Sequence, residues 1–188
     1  MAQLFSRRAD RRLRVVLILG AALIVGTPLA LLAWARTPVV TGQHHSVAQP
    51  LRFSHPLHVN AMRISCTYCH AGAERAAMAG LPPSTACVNC HSALMLDAAP
   101  LAPVLSSLRT GTPVQWQRVT TLPDFVYFNH VVHTRNGIGC ERCHGQVNMM
   151  DPVEQAAPMT MAWCVQCHRA SSPQARGRSL TTCTTCHR

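Results

Sequence analysis

The chain has 188 residues, with ten cysteines, eleven histidines and 17 basic residues, all of them arginine, against seven acidic ones, for a formal net charge of +10. Charged residues make up only 13% of the chain and apolar residues 48%, which excludes an intrinsically disordered protein. Aromatic residues make up only 5%, so the side chains offer little large apolar surface for a conventional globular core.

The N-terminal part of the chain has the pattern of a membrane anchor. Five arginines lie within residues 1–14, and an uncharged, mainly apolar run of 21 residues follows, Val15–Ala35. At about 1.5 Å per residue, such a helix crosses a hydrocarbon core of about 30 Å. The sequence therefore predicts a cytoplasmic segment at 1–14 and a transmembrane helix at 15–36. A cleaved signal peptide is the alternative, because Ala33-Trp34-Ala35 has the form of a cleavage site, but signal cores usually span only about 7–15 residues.

Both a membrane anchor and a cleaved signal peptide predict that the rest of the chain is exported. Residues 37–50 contain Pro, Gly and Ser without a hydrophobic period, which predicts a linker. Residues 51–188 carry all ten cysteines and are expected to form one exported domain.

The ten cysteines form five copies of one motif, Cys-x-x-Cys-His. This spacing is the attachment signature of c-type haem: two thiols bind the porphyrin covalently and the histidine becomes the proximal iron ligand. The predicted attachment thiols are Cys66, Cys69, Cys87, Cys90, Cys140, Cys143, Cys164, Cys167, Cys183 and Cys186. The predicted proximal ligands are His70, His91, His144, His168 and His187.

Other uses of paired cysteines explain the motif less well. Zinc ribbons do not require a histidine after every second cysteine, and a disulfide framework leaves the five histidines unexplained. A thioredoxin-like redox motif occurs once in a βαβ setting. We therefore expect five covalent haems, around which the chain wraps as a mostly irregular and α-helical multihaem cytochrome c, with little sheet and no single hydrophobic core.

Four further histidines lie in a duplicated element, F-x-H-x-x-H, that precedes the first and third motifs. The element contributes His55 and His58 in its first copy, and His130 and His133 in its second. Histidines three residues apart on a helical turn share a face, so one turn can serve two neighbouring haems. The sequence predicts these four side chains as distal iron ligands.

The fifth distal position has several candidates. His44 and His45 lie in the predicted linker, and methionines lie between the third and fourth motifs. A thioether is a recognised haem ligand that raises the reduction potential, so we favour Met150 or Met161, although an open position is also conceivable. If all five irons have two axial ligands, the chain conducts electrons and needs no catalytic site of its own.

A family resemblance is carried by the stretches QPLRFSHPLHVNAMRISCTYCHAG, GLPPSTACVNCHS, VQWQRVTTLPDFVYFNHVVH, GIGCERCHGQV, MTMAWCVQCHR and LTTCTTCHR. In order and spacing they resemble the ActA family, the membrane-anchored pentahaem cytochrome c subunits of alternative complex III. The resemblance covers nearly everything from Pro50 to Arg188, and the anchor. Family members often have a histidine before LPDFVYFNH, where this chain has Thr120 and Thr121, which favours a methionine as the fifth distal ligand.

The resemblance implies a quinol:electron-acceptor oxidoreductase. Its expected partners are polysulfide-reductase-type membrane subunits, an iron–sulfur subunit resembling molybdopterin enzymes, and a monohaem cytochrome c subunit. It implies an inner-membrane location in a bacterium, with a periplasmic haem domain that passes electrons to a periplasmic cytochrome, a cupredoxin or a terminal oxidase of a respiratory or photosynthetic chain.

Two other classes fit the motifs. A single-anchor multihaem quinol dehydrogenase would feed a periplasmic reductase, and a pentahaem reductase would keep one iron vacant. No basic and aromatic surface typical of nucleic-acid binding is apparent, since the exported part has 11 arginines against six acidic residues.

Overall fold

A computed structural model describes residues 6–94, 99–171 and 179–187. Residues 1–5, which belong to the predicted cytoplasmic segment, lie outside the described residues. The chain divides into two compact units, Met1–Thr41 and Gly42–Arg188.

The first unit contains one long helix. Helix α1 spans Arg7–Trp34, 28 residues, and begins after Ser6, whose hydroxyl accepts a hydrogen bond from the Ala9 amide at 3.3 Å. Most of the predicted transmembrane segment 15–36 lies within it. By length and composition, α1 is long and apolar enough to cross a membrane. A short helix, α2 (Pro38–Thr41), completes the unit.

The second unit consists of short helices joined by loops, and its described residues include no β-strand. Its α-helices are α3 (Cys66–Cys69), α4 (Ser84–His91), α5 (Ala102–Thr110), α6 (His130–Arg135), α7 (Glu141–His144), α8 (Met161–Ser171) and α9 (Cys183–Cys186). A π-helical turn spans Pro56–Ala61, and 3₁₀ turns span Ala71–Glu74, Ala99–Leu101 and Val147–Met149. The predicted mostly irregular and α-helical fold is confirmed.

The second unit has almost no core of side chains. Within the described ranges, its buried apolar side chains are Ala73, Val104 and Ala157, and its buried polar ones are Ser107 and Gln155. Burying so little apolar surface does not offset the conformational entropy that a domain of this length loses on folding. The interior must therefore come from something other than side chains, as the composition indicated.

Helix α6 is held against the segment that follows α3. The Thr134 hydroxyl donates a hydrogen bond to the Ala73 carbonyl at 2.9 Å, and the His130 amide donates to the Ala77 carbonyl at 3.0 Å. These bonds join the second F-x-H-x-x-H element to the segment that follows the first Cys-x-x-Cys-His motif.

Part of the predicted linker is ordered by distant residues. The His44 amide donates to the Gln155 carbonyl at 2.8 Å, and the Gln155 amide donates to the His45 carbonyl at 3.1 Å. Residues 42–46 therefore run beside residues 154–156, which lie between the third and fourth motifs.

Gly72 lies where the chain passes close to its own backbone. A Cβ at this position would overlap with the carbonyl oxygens of Met78 and Ala79. Because these atoms belong to the backbone, we expect Gly72→Ala to destabilise the haem-loaded chain by about 1–3 kcal/mol. Chemical denaturation followed by haem absorbance measures this. The matched control is Gly139→Ala, whose Cβ meets only the flexible Glu141 side chain; equal denaturation midpoints for both variants would contradict the prediction.

Candidate haem-binding sites

Each Cys-x-x-Cys-His motif lies on one helical turn. We number the motifs in chain order as sites 1 to 5: Cys66–His70, Cys87–His91, Cys140–His144, Cys164–His168 and Cys183–His187. They lie at α3, α4, α7, α8 and α9. Residues three apart on a helix share a face, so the two thiols of each motif are on the same side of the turn. All ten cysteines are described, and none of them forms a disulfide.

Four motif histidines each lie near a second histidine. The ring centres of His58 and His91 are 6.2 Å apart, those of His130 and His144 are 6.4 Å apart, and those of His133 and His168 are 6.1 Å apart. His55 lies close enough to His70 for an electrostatic interaction. All four predicted distal histidines are thus brought to motif histidines.

The ring spacing fits a haem iron between the two imidazoles. A nitrogen ligand lies about 2 Å from its metal, so two imidazoles on opposite sides of one iron have ring centres about 6 Å apart. The three measured pairs, at 6.1 to 6.4 Å, match this requirement. Nowhere in the described ranges do three or more His, Cys, Asp or Glu side chains converge as a metal cluster, so the arrangement is one of pairs.

Most of these imidazoles are held in one tautomer by backbone carbonyls. Among distal histidines, the Nδ1–H groups of His58, His130 and His133 donate to the carbonyls of Ser54, Ala77 and Asn129, at 2.9, 2.8 and 2.8 Å. Four motif histidines also donate their Nδ1–H groups to backbone carbonyls. These bonds are His70 to Gly80 at 2.8 Å, His91 to Leu94 at 3.1 Å, His168 to Leu180 at 2.8 Å and His187 to Phe125 at 3.0 Å. Because a carbonyl only accepts, Nδ1 carries the proton and Nε2 keeps its lone pair for a metal.

His55 differs from the other distal histidines. Its Nδ1 is buried and has no hydrogen-bond partner in the described part of the chain. Burial, with smaller effects of His70 and His58, lowers the pKa of His55. Burial also lowers the pKa of His144, next to His130. Both imidazoles are therefore neutral at pH 7, as metal ligands must be.

The phenylalanine of each F-x-H-x-x-H element contacts both of its histidines. Phe53 meets His55 edge-on at 4.8 Å and stacks on His58 at 4.4 Å. Phe128 repeats this geometry, edge-on to His130 at 4.7 Å and stacked on His133 at 4.5 Å. The repeat in the sequence places a phenylalanine two residues before each first histidine but does not by itself indicate this contact role. The same spacing between phenylalanine and histidines in both copies is the sequence feature that could have indicated it.

Site 5 has a different environment. No second histidine ring contacts His187 in the part of the chain that the structure describes, and Phe125 lies against it at 5.8 Å. His44 instead pairs with Glu154 at 3.0 Å. The end of the Met150 side chain lies beside Gly145, the residue after site 3, and Met161 is exposed at the start of α8. The structure therefore brings neither His44 nor Met150 to site 5.

Local contacts set the order in which the sites neighbour one another. The π-helical turn and its preceding residue hold the distal histidines of sites 1 and 2, and α6 holds those of sites 3 and 4. Site 1 meets site 3 where the Cys66 side chain interacts with Cys140. Site 4 meets site 5 where Cys164 lies near Cys186. The resulting order is 2–1–3–4–5.

Burial is common to the thiols at these junctions. It raises the pKa of Cys69, Cys87, Cys140, Cys143 and Cys164, with neighbouring thiols as a smaller cause for several of them. Burial therefore favours the protonated form of each of these thiols.

Removing one distal histidine tests the pairing. His133→Ala leaves the motif of site 4 intact but removes its second imidazole, so we expect about one haem in five to become high-spin and to bind carbon monoxide. Difference spectra of the reduced protein with carbon monoxide measure this. The control is His45→Ala, which removes an imidazole not found at any site. Equal carbon monoxide binding by both variants would exclude His133 as a ligand.

Comparisons with known proteins point to the same class of cofactor. Residues 126–188, which contain sites 3 to 5, match the family model described as cytochrome c7 and related cytochrome c. The chain is 29% identical over 192 residues to the multihaem cytochrome c subunit of menaquinone reductase from Nitratidesulfovibrio vulgaris (strain Hildenborough), with 90% of each chain covered. Over most of its length, the chain is thus similar to a cytochrome that binds c-type haem covalently.

Proposed function

We propose that this chain is an electron-transfer protein that binds five covalent c-type haems, one at each motif, within a quinol-linked membrane complex. The observation that carries the proposal is the presence of a second histidine beside four motif histidines, at 6.1 to 6.4 Å for the three measured pairs. Bound c-type haem supplies a one-electron carrier, and an iron with two histidine ligands has no open position for a substrate. Conduction, rather than catalysis, is therefore the function that these residues support best.

The protein's own residues prepare the sites for this function. Backbone carbonyls hold the Nδ1 protons, so the Nε2 atoms are free to ligate without a change of tautomer. Phe53 and Phe128 each restrict two imidazoles that belong to neighbouring sites. The order 2–1–3–4–5 supports a single line of carriers with sites 2 and 5 at its ends.

We infer a single membrane anchor with the haem domain in the periplasm. Helix α1 has the length and composition to cross a membrane, and five arginines precede its apolar part. Because arginine-rich flanks remain on the cytoplasmic side, residues 1–14 are cytoplasmic and the motifs are exported. Covalent attachment of haem c to ten thiols agrees with that location.

The sequence resemblance to the pentahaem subunits of alternative complex III supports a more specific role. In that role, polysulfide-reductase-type membrane subunits oxidise quinol beside an iron–sulfur subunit that resembles molybdopterin enzymes. The chain then carries electrons towards a monohaem cytochrome c subunit and a periplasmic cytochrome, a cupredoxin or a terminal oxidase.

A second candidate has the opposite direction of electron flow. The relative from Nitratidesulfovibrio vulgaris is named a subunit of menaquinone reductase, and its name states reduction of the quinone. A line of haems can carry electrons in either direction. Membranes that contain the complex distinguish the two: added menaquinol reduces the haems in the first case, and menaquinone oxidises dithionite-reduced haems faster in the second.

Spin state and partners test the proposed function. We expect five haems per chain by the pyridine haemochrome assay and an almost entirely low-spin set by electron paramagnetic resonance, since each iron has two strong ligands. Purification in mild detergent should also recover an iron–sulfur protein and polytopic membrane subunits. A strong high-spin ferric signal would contradict conduction, and a solitary stable haem-loaded chain would contradict the complex.

For the fifth distal ligand, we propose Met161 rather than Met150. Met161 begins α8 three residues before Cys164, whose thiol lies near Cys186 of site 5. The end of the Met150 side chain lies beside Gly145 instead, next to a site whose histidine already faces His130.

Matched substitutions of the two methionines test this choice. Met161→Ala should make one haem high-spin and able to bind carbon monoxide, because it removes a ligand, and should abolish any near-infrared charge-transfer band of His/Met ligation. Met150→Ala should leave both signals unchanged. The reverse pattern would assign the ligand to Met150.

A further inference from the structure

Three pairs of motif and distal histidines have nearly the same spacing but differ in the angle between their ring planes. The angle is 6° at site 3, 28° at site 4 and 51° at site 2. These pairs are, in that order, His130 with His144, His133 with His168 and His58 with His91. Two imidazoles that ligate one iron from opposite sides lie along one axis, so this angle is the twist of one ring against the other about that axis. Site 2 therefore has the most twisted of the three measured pairs.

The distal histidines of sites 2 and 4 are held in the same way. The Nδ1–H groups of His58 and His133 donate to the carbonyl four residues earlier, at 2.9 and 2.8 Å. Phe53 stacks on His58 at 4.4 Å and 28°, and Phe128 stacks on His133 at 4.5 Å and 26°. A hydrogen bond and an aromatic stack together fix the plane of an imidazole. Because this support is equal, it does not account for the difference in twist.

The motif histidines of these two sites are held differently. His91 is the last residue of α4, and its Nδ1–H donates at 3.1 Å to the carbonyl of Leu94, three residues further on. His168 lies inside α8, and its Nδ1–H donates at 2.8 Å to the carbonyl of Leu180, twelve residues further on. The acceptor at the second nitrogen sets the orientation of a ligating imidazole. A local acceptor at site 2 and a distant one at site 4 therefore give the two motif rings different planes.

We propose that Phe53 and the Leu94 carbonyl are positioning groups for site 2, which hold its two imidazole planes twisted. The twist raises the reduction potential of the haem held there above that of the same ligands with parallel planes. This inference rests on the proposed function, because it requires a haem between His58 and His91. The residues fit that requirement, since their ring centres are 6.2 Å apart and backbone carbonyls accept both Nδ1 protons.

The direction of the effect follows from the way in which imidazole donates electrons to iron. The orientation of each ring selects the iron d orbital that its π electrons raise in energy. Parallel rings raise the same orbital, which stabilises ferric haem, because its missing electron is taken from that orbital. Twisted rings divide this effect between two orbitals, so ferric haem is stabilised less and the potential is higher. The two orbitals are then closer in energy, which raises the largest g value in the electron paramagnetic resonance spectrum.

Spectra of the oxidised full chain with its haems test the twist. Three variants, His58→Ala, His133→Ala and His130→Ala, should each remove one low-spin signal. The largest g values of the three removed signals should decrease in that order, because the twist decreases from 51° to 28° to 6°. The measurement remains valid if a variant loses its haem, since the affected signal disappears in either case. Any other order would overturn the inference.

Substitution of the two phenylalanines tests the positioning. Phe53→Leu frees the plane of His58, so the signal that His58→Ala removes should shift, while that of site 4 stays in place. Phe128→Leu is the matched control and should shift the signal of site 4 but not that of site 2. Phe53→Tyr should restore the original g value, because it keeps the stacked ring. An unshifted site 2 signal in Phe53→Leu, or in Phe53→Ile if the leucine variant does not retain its haems, would exclude the role of Phe53.

A change in the turn after α4 tests the Leu94 carbonyl. The Ala93 amide donates to the Cys90 carbonyl at 3.2 Å, and Ala93→Pro removes this bond and displaces the residue that follows. The signal of site 2 should shift in this variant while that of site 4 stays in place. If the site 2 signal is unshifted, the carbonyl does not set the twist.

Redox titration of the site 2 signal tests the effect on potential. In Phe53→Leu, the potential and the largest g value of site 2 should move in the same direction, because both rise with the twist. Movement in opposite directions would overturn the inference.

The haem count and spin state of the unsubstituted chain test the proposed function alone. Five low-spin haems whose signals do not follow the order of twist would remove this inference but retain electron transfer. A chain without haem at its motifs would contradict both.

Discussion

The structure depends on one constraint, that two histidines three residues apart on one turn face two different motifs. In α6, His130 lies 6.4 Å from His144 and His133 lies 6.1 Å from His168, measured between ring centres. This one turn thereby sets the distance between sites 3 and 4 and requires the chain that carries His144 and His168 to fold back against α6. Because His130 also donates to the Ala77 carbonyl, the same turn is held against the segment that follows site 1.

The contacts that form the sites are also the contacts that hold the fold together. The described side chains bury only three apolar residues, all small or medium in size, in a unit that extends over Gly42–Arg188. A chain with so little core needs cross-links between distant segments, and two thiols with two histidines around one cofactor supply four attachment points. We therefore expect folding to be coupled to haem binding, as folding is coupled to metal binding in small metal-stabilised domains.

Local spacing made much of this structure predictable. The five Cys-x-x-Cys-His motifs, the repeated histidine pairs and the lack of a side-chain core can all be read from residue types and intervals. The backbone partners could not be predicted from the sequence. The Ala77 carbonyl accepts a hydrogen bond from His130, and residues 42–46 run beside residues 154–156. Both contacts join backbone groups that are distant in the sequence, and no pattern of side chains marks them. The sequence does not single out a fifth distal ligand either, because the methionines do not recur at a fixed interval from a Cys-x-x-Cys-His motif.

The two F-x-H-x-x-H elements show where otherwise similar sites acquire different properties. Their phenylalanines meet the first histidine edge-on at nearly the same distance and angle, 4.8 Å and 84° in one element and 4.7 Å and 88° in the other. The candidate ligand residues and their aromatic contact are thus the same at sites 1 and 3. What differs is the Nδ1 of the first histidine: that of His130 donates to the Ala77 carbonyl, whereas that of His55 is buried and has no hydrogen-bond partner in the described ranges. Two sites with the same candidate ligands and the same aromatic contact are therefore distinguished by the backbone around the first histidine, which contributes no ligand.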